Sequence, residues 1–180
     1  MRKAHAVALF AAVAIASAAG GAAYYWWSQD DAPYPVPGSR AAAERVFAAQ
    51  FADLTGGSPT LEQWRGRVLV VNFWATWCAP CREEIPVFVK LQERYGSRGL
   101  QFVGIAFDQS DKVAEFAREF RINYPLFLGG LDTMELMRQA GNRSGVLPYT
   151  VVIDRNGNLV SGERGGLKET KLEGLLHQLL

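Results

Sequence analysis

From position 68 the chain runs Val-Leu-Val-Val-Asn-Phe-Trp, with one polar residue in seven. An almost unbroken β-branched and aromatic run of this kind predicts a central strand buried on both faces. The run Leu-Gln-Phe-Val-Gly-Ile-Ala-Phe at 100–107 predicts a second buried strand, and Tyr-Thr-Val-Val-Ile at 149–153 a third. After the third, Asp154-Arg155-Asn156-Gly157 reads as a hairpin turn. It returns residues 159–161 antiparallel. Shorter strands are predicted at 51–54, turned by Thr55-Gly56-Gly57, and at 124–128.

Helical patterns alternate with these runs. Ser39 is placed to cap an alanine-rich helix over 40–49, and 61–64 reads as a short turn or helix. Pro80 opens a helix to about residue 94, closed by Gly96, and Pro86 inside it predicts a kink. Ser110 is expected to cap a helix through about residue 121, with Val113, Phe116, Ala117 and Phe120 on one face. Residues 131–139 read as helical, with Leu131, Met134, Leu136 and Met137 apolar. The methionine pair reads as core filling rather than as a metal or cofactor site. Gly165-Gly166 breaks the chain before a last helix at 168–180. The order β-α-β-α-β-α-β-β-α, without an internal repeat, implies an α/β fold: a central mixed β-sheet flanked by helices.

An N-terminal extension precedes this domain. Arg2 and Lys3 are followed by 26 residues, 4–29, free of Asp, Glu, Lys and Arg, ending in Tyr24-Tyr25-Trp26-Trp27 before Ser28 and Gln29. The length and the aromatic belt fit a membrane anchor with a cytoplasmic N-terminus. The small-x-small pattern Ala16-Ser17-Ala18 fits a cleaved signal peptide instead. Both readings export the remainder. Alternate prolines in Asp31-Ala32-Pro33-Tyr34-Pro35-Val36-Pro37-Gly38 then predict an extended linker. The organisation expected is a signal-anchor or signal peptide at 1–30, a linker at 31–40 and one domain at 41–180.

Composition narrows the function. Of 180 residues, 49% are hydrophobic and 21% charged, a globular balance. Lys and Arg total 19 against 18 Asp and Glu, so no global charge favours a nucleic-acid partner. The 2 cysteines, Cys78 and Cys81, lie too close in sequence to staple a fold, so they are read as chemistry or metal binding.

Their segment, Trp74-Ala75-Thr76-Trp77-Cys78-Ala79-Pro80-Cys81, lies where a buried strand ends and a helix starts. Cys78 at a helix N-terminus meets unpaired N–H groups and the positive end of the dipole, which favour a thiolate. The spacing puts Cys81 within one turn, so the pair can open to a dithiol or close to a disulfide. Pro80 suits the first helical turn. Trp77 can shield the pair while leaving Cys78 accessible. A structural zinc site would want more ligands than the chain offers, since the only histidines are His5 and His177. No cofactor is called for.

The segment Val70-Val71-Asn72-Phe73-Trp74-Ala75-Thr76-Trp77-Cys78-Ala79-Pro80-Cys81-Arg82-Glu83-Glu84-Ile85-Pro86 resembles the active-site segment of membrane-anchored, thioredoxin-like thiol–disulfide oxidoreductases of the TlpA/ResA group. That group includes the cytochrome c maturation reductases. The resemblance runs from about residue 51 to 180 and implies a thioredoxin-like fold. It implies Cys78 as nucleophile and Cys81 as resolving thiol. It further implies a cis proline at Pro148, within Gly145-Val146-Leu147-Pro148-Tyr149-Thr150, letting Leu147 present its backbone to an incoming peptide; Trp77 completes that substrate-binding edge. Thioredoxin proper has a buried aspartate six residues before the first cysteine, where this chain has Asn72. Glu84 matches a glutamate that approaches the active site in the TlpA/ResA group, with the role of tuning the thiols and relaying a proton. Arg82 and Glu83 read as surface residues.

The activity implied is reduction of disulfides in exported proteins. The resemblance names apocytochrome c before haem attachment, or copper-centre proteins of a terminal oxidase, as substrates. It names as electron donor a membrane protein linked to cytoplasmic thioredoxin. An oxidase or isomerase for exported proteins uses the same chemistry with the opposite poise. A copper chaperone on the same fold is a non-enzymatic alternative.

Overall fold

The computed structural model describes residues 39–180 and, beyond them, only Ser17 and Gly21. The rest of the charge-free N-terminal run and the proline-rich linker lie outside the described residues. Among the described residues no helix is long and apolar enough to cross a membrane.

In chain order the elements are α1 (Arg40–Ala48), β1 (Ala52–Asp53), β2 (Val68–Trp74), α2 (Ala79–Tyr95), β3 (Leu100–Ala106) and α3 (Ser110–Glu119). There follow β4 (Leu126–Leu128), α4 (Leu131–Gln139), β5 (Tyr149–Ile153), β6 (Leu159–Arg164) and α5 (Glu169–Leu179). The six strands form one mixed sheet in the order β1-β4-β3-β2-β5-β6. The neighbours β2–β3 and β3–β4 are parallel, whereas β5 pairs antiparallel with both β2 and β6.

All seven residues of β2 are buried, as the sequence pattern requires of a central strand. Alternation then assigns them to two layers. Leu69, Val71 and Phe73 pack with residues of α1 and α4, including Ala43, Phe47 and Met137. On the other face, Val68 and Val70 meet Phe88 and Leu91 of α2 and Leu172 and Leu176 of α5. At the top of that face Trp74 packs with Cys81, Ile85 and the α3 residues Val113 and Phe116. Gly104, opposite Asn72 in the β2–β3 register, is required by this packing. A Cβ there would lie 2.6 Å from Leu126 Cδ2 and 3.0 Å from Trp74 Nε1.

Element ends differ in several places from the sequence reading. Ser39 does cap α1, accepting the Ala42 N–H at 3.3 Å. Ser110, however, is the first helical residue of α3; Gln109 is its N-cap and makes no side-chain cap bond. The helix ends at Glu119 rather than near 121 because Arg121 turns left-handed, with φ 51°. Ile122 N–H then bonds Ala117 O at 3.0 Å and Arg121 N–H bonds Arg118 O at 3.3 Å, a Schellman closure without glycine. The short strands shrink to Ala52–Asp53 and Leu126–Leu128, and β6 lengthens to Arg164. Helix α2 continues through Pro86 as one element.

Candidate active site

Strand β2 ends at Trp74, and four residues later Cys78 is the N-cap of α2, in extended conformation. Its carbonyl accepts the N–H groups of Cys81 at 3.1 Å and Arg82 at 3.2 Å, which opens the helix. Pro80 sits in the first turn, where an N–H would have no intrahelical partner. Cys78 and Cys81 are joined in a disulfide, S–S 2.06 Å, Cα–Cα 5.3 Å. Cys81 is fully buried, whereas Cys78 is 6% exposed, so Cys78 is the sulfur an external thiol or disulfide can reach.

Cys78 borders a groove of about 540 Å³, lined also by Trp77, Phe107, Met134, Met137 and Leu147. Trp77 stands 71% exposed beside the disulfide. Pro148, which follows Leu147, is preceded by a cis peptide bond. Buried Asn142 braces this edge, its Nδ2 donating to Val146 O at 2.7 Å, while Gly165 N–H reaches Pro148 O at 2.8 Å. The methionine pair is only half core filling. Met137 is buried, but Met134 is 44% exposed and turns into the groove, and Leu131 one turn earlier is exposed as well.

Behind the disulfide, Glu84 is buried on the same face of α2 as Cys81. Arg82 and Glu83 are exposed, and the Arg82 guanidinium lies 5.0 Å over the Phe116 ring. Glu84 Oε1 accepts from Asn72 Nδ2 at 2.8 Å, and Oε2 accepts the Leu167 N–H at 2.8 Å. Asn72 Nδ2 also donates to Thr150 Oγ1 at 2.9 Å. Burial pushes the Glu84 carboxyl up to about 7, although the Leu167 and Asn72 hydrogen bonds oppose the rise. A carboxyl that titrates near neutrality suits proton exchange with a thiol.

Three polar residues of this region escape sequence reasoning. Asp108, just past β3, accepts the Thr76 hydroxyl and so ties down the loop that carries the cysteines. Burial raises its proton affinity, but the Thr76 and Gln109 donors and Lys112 outweigh that and hold Asp108 below the ordinary carboxylate range. Its place just past the carboxyl end of a parallel strand, beside the Thr76 that leads into the cysteines, is the signal that could have found it. Thr150 is found by register, since it pairs directly with Asn72. Asn142 leaves no local trace.

The redoxin family model matches residues 37–179. The thiol-disulfide oxidoreductase ResA of Geobacillus kaustophilus is 30% identical over 128 residues, covering 71% of each chain. ResA of Bacillus anthracis is 28% identical over 128 residues, covering 71% of this chain and 72% of that one. Among solved structures, a thioredoxin-family thiol:disulfide interchange protein from Chlorobium tepidum superposes with a TM-score of 0.66 at 27% identity, covering 82% of this chain and 96% of that one. A thioredoxin-related protein from Neisseria meningitidis serogroup B gives 0.64 at 30% identity, covering 72% and 97%. With a thioredoxin-like sheet, a Cys78–Cys81 disulfide at the head of its first long helix and these relatives, the chain belongs to the redoxin family as a thiol-disulfide oxidoreductase of the TlpA/ResA type.

Proposed function

We propose that the protein is a membrane-tethered reductase of disulfides in exported proteins, working on the outer side of the bacterial inner membrane. The observation that carries this reading is the Cys78–Cys81 pair, with one sulfur reachable at an apolar groove and the other buried one turn from a carboxyl poised near neutrality. In the dithiol form, Cys78 thiolate attacks a substrate disulfide. One substrate sulfur leaves as thiolate and the other joins Cys78 in a mixed disulfide. Cys81 then passes its proton to Glu84 and attacks Cys78. The Cys78–Cys81 bond forms, and the second substrate sulfur leaves reduced.

Trp77, Leu147 and Pro148 form the substrate edge in this reading, with the Leu147 backbone as strand partner for the peptide around the disulfide. The charge-free run at 4–29 supplies the tether or the export signal, and 31–40 the spacer. An oxidising compartment demands a fresh supply of electrons, which fits a membrane donor linked to cytoplasmic thioredoxin. Apocytochrome c and copper-centre proteins are the substrates this assignment favours.

The test is trapping with Cys81→Ser in membranes of the source cell. This variant is expected to stall as a mixed disulfide through Cys78, identifiable by mass spectrometry. Absence of any trapped partner overturns the exchange mechanism. A reduction potential near that of a strong oxidant, about −120 mV, overturns the reductase direction in favour of an oxidase.

A further inference from the structure

Strand β2 and helix α2 meet at one polar point in an otherwise apolar layer. Asn72 bridges there to Glu84 on α2 and to Thr150 on β5, and Leu167 N–H closes the other side of the Glu84 carboxyl. All three side chains are buried, at 1%, 3% and 0% exposure. The remaining polar atom of the amide, Asn72 Oδ1, has no partner; among the described residues it is the one buried side-chain nitrogen or oxygen so placed. An apolar pair of the same shape would fill this space without leaving an oxygen unpaired or burying a carboxyl. Stability therefore does not account for the pair, whereas its position does. Cys81 lies three residues before Glu84, one helical turn away on the same buried face.

We propose that Asn72 is the positioning residue for the base of the Cys81 step, clamping the Glu84 carboxylate on α2 as acceptor of the Cys81 proton. The inference rests on the reductase reading above. Cys81 S–H gives its proton to the Glu84 carboxylate. The Cys81 thiolate attacks the Cys78 sulfur, the Cys78–substrate bond breaks, and the substrate thiolate leaves with the electron pair.

Side-chain identity at 72 follows from the 2.8 Å contact. A carboxylate there would face the Glu84 carboxylate at hydrogen-bond distance, and the two could not both ionise. An amide supplies a donor and keeps a single acid at the site. By the same logic the acid can be moved from the helix to the strand, with the amide taking the place of the carboxyl. The groups facing Glu84 do not complicate its titration. Asn72 and Thr150 of the sheet are neutral, and Leu167 offers only its N–H. The Tyr124 phenol is held neutral, first by burial and then by the Glu84 charge. On its own helix Cys81 is the titratable neighbour when the pair is reduced.

The experiment follows two readouts in the full-length protein. One is the pH dependence of insulin disulfide reduction with dithiothreitol as electron donor. The other is the carbon-13 titration of the Glu84 carboxyl in the oxidised protein, where neither cysteine titrates. Wild type is expected to show an inflection near pH 7 in both. Asn72→Leu and the smaller Asn72→Ala remove the donor to the charged form, so both midpoints move up by about one pH unit. Glu84→Gln loses the inflection, and Asn72→Leu/Glu84→Gln behaves as Glu84→Gln alone. The swap Asn72→Asp/Glu84→Gln restores the inflection and recovers most of the rate. The proposal is overturned if folded Asn72 variants leave the Glu84 midpoint unmoved, or if the Asn72 effect persists in the Glu84→Gln background. If wild type reduces no disulfide, the reductase reading falls on that result, and the carboxyl titration still decides whether Asn72 governs Glu84.

Discussion

Leu167 donates its backbone N–H to Glu84 at 2.8 Å, joining the segment before the last helix to the active-site helix. The carboxyl so held is buried, and burial raises its proton affinity above the ordinary value of 4.5 to about 7. That shift has a defined consequence for stability. Between those two values the native state binds more proton than the unfolded chain, so stability falls as pH rises.

Oxidised wild-type protein is therefore expected to lose about 2–3 kcal/mol of unfolding free energy between pH 5 and pH 8. Glu84→Gln removes this slope. The carboxylates held below their ordinary values, such as Asp108 and Asp154, act in the opposite sense and at lower pH, outside this window. Urea denaturation at the two pH values checks the outcome. An equal slope in both proteins would assign the effect elsewhere.

Thr76 and Asp108 form the other polar tie of the site. Thr76→Val keeps the shape of the side chain and removes the only hydroxyl it offers. The Asp108 carboxylate, 7% exposed, loses a donor it cannot fully replace with water. The expected cost is about 1–3 kcal/mol at pH 7, with Asp108 titrating higher than in wild type. Because a depressed carboxyl contributes stability above its unfolded value, the difference narrows as pH falls through the folded-state value. Unfolding curves at neutral and acid pH measure both effects. Unchanged stability would show that the loop is held by its backbone alone.

Gly104 gives a test of packing near the same site. Alanine would press its methyl against Leu126 and the Trp74 indole, and the backbone of a central parallel strand has little room to yield. Gly104→Ala is expected to destabilise by about 1–3 kcal/mol. Thermal unfolding reads the loss, and a neutral result would mean that Leu126 rotates away without penalty.

The parts of the fold that were legible in the sequence are those where one physical demand dominates. Residues 68–74 are apolar but for Asn72 because both faces are covered, and strand β2 occupies the same seven positions. The cysteine turn is marked by Cys78, Pro80 and Cys81 together. What was hidden depends on partners distant in sequence or on ambiguous faces. Arg121 closes α3 in a conformation usually marked by glycine, so the stop near 119 carried no signal. Asp108 acquires meaning only once β3 lies beside β2. In α4, the apolar residues are 131, 134, 136 and 137. The buried stripe is Thr133, Leu136, Met137 and Ala140, an i, i+3, i+4, i+7 series. Leu131 and Met134 fall off it, and the threonine that completes it obscured the pattern.

Those two displaced residues lead to the last prediction. Among the described residues the large apolar side chains left exposed are Trp77, Leu131, Met134 and Val146. Met134 lines the groove beside Cys78, Leu131 lies one turn before it on α4, and Val146 adjoins the groove residues Gly145 and Leu147. Exposed apolar surface concentrated beside a reactive disulfide is a place for a partner's apolar residues, and unbranched methionine adapts to varied shapes. Leu131→Glu/Met134→Glu is expected to cost less than about 0.5 kcal/mol of stability, since both side chains already face water. Reduction of a protein disulfide should fall through a raised KM, and more steeply than reduction of oxidised glutathione, which is too small to span the groove. Steady-state kinetics on the two substrates give the comparison. Equal losses on both would mean that the charges act on the Cys78 chemistry itself, and no loss on either would remove α4 from the docking surface.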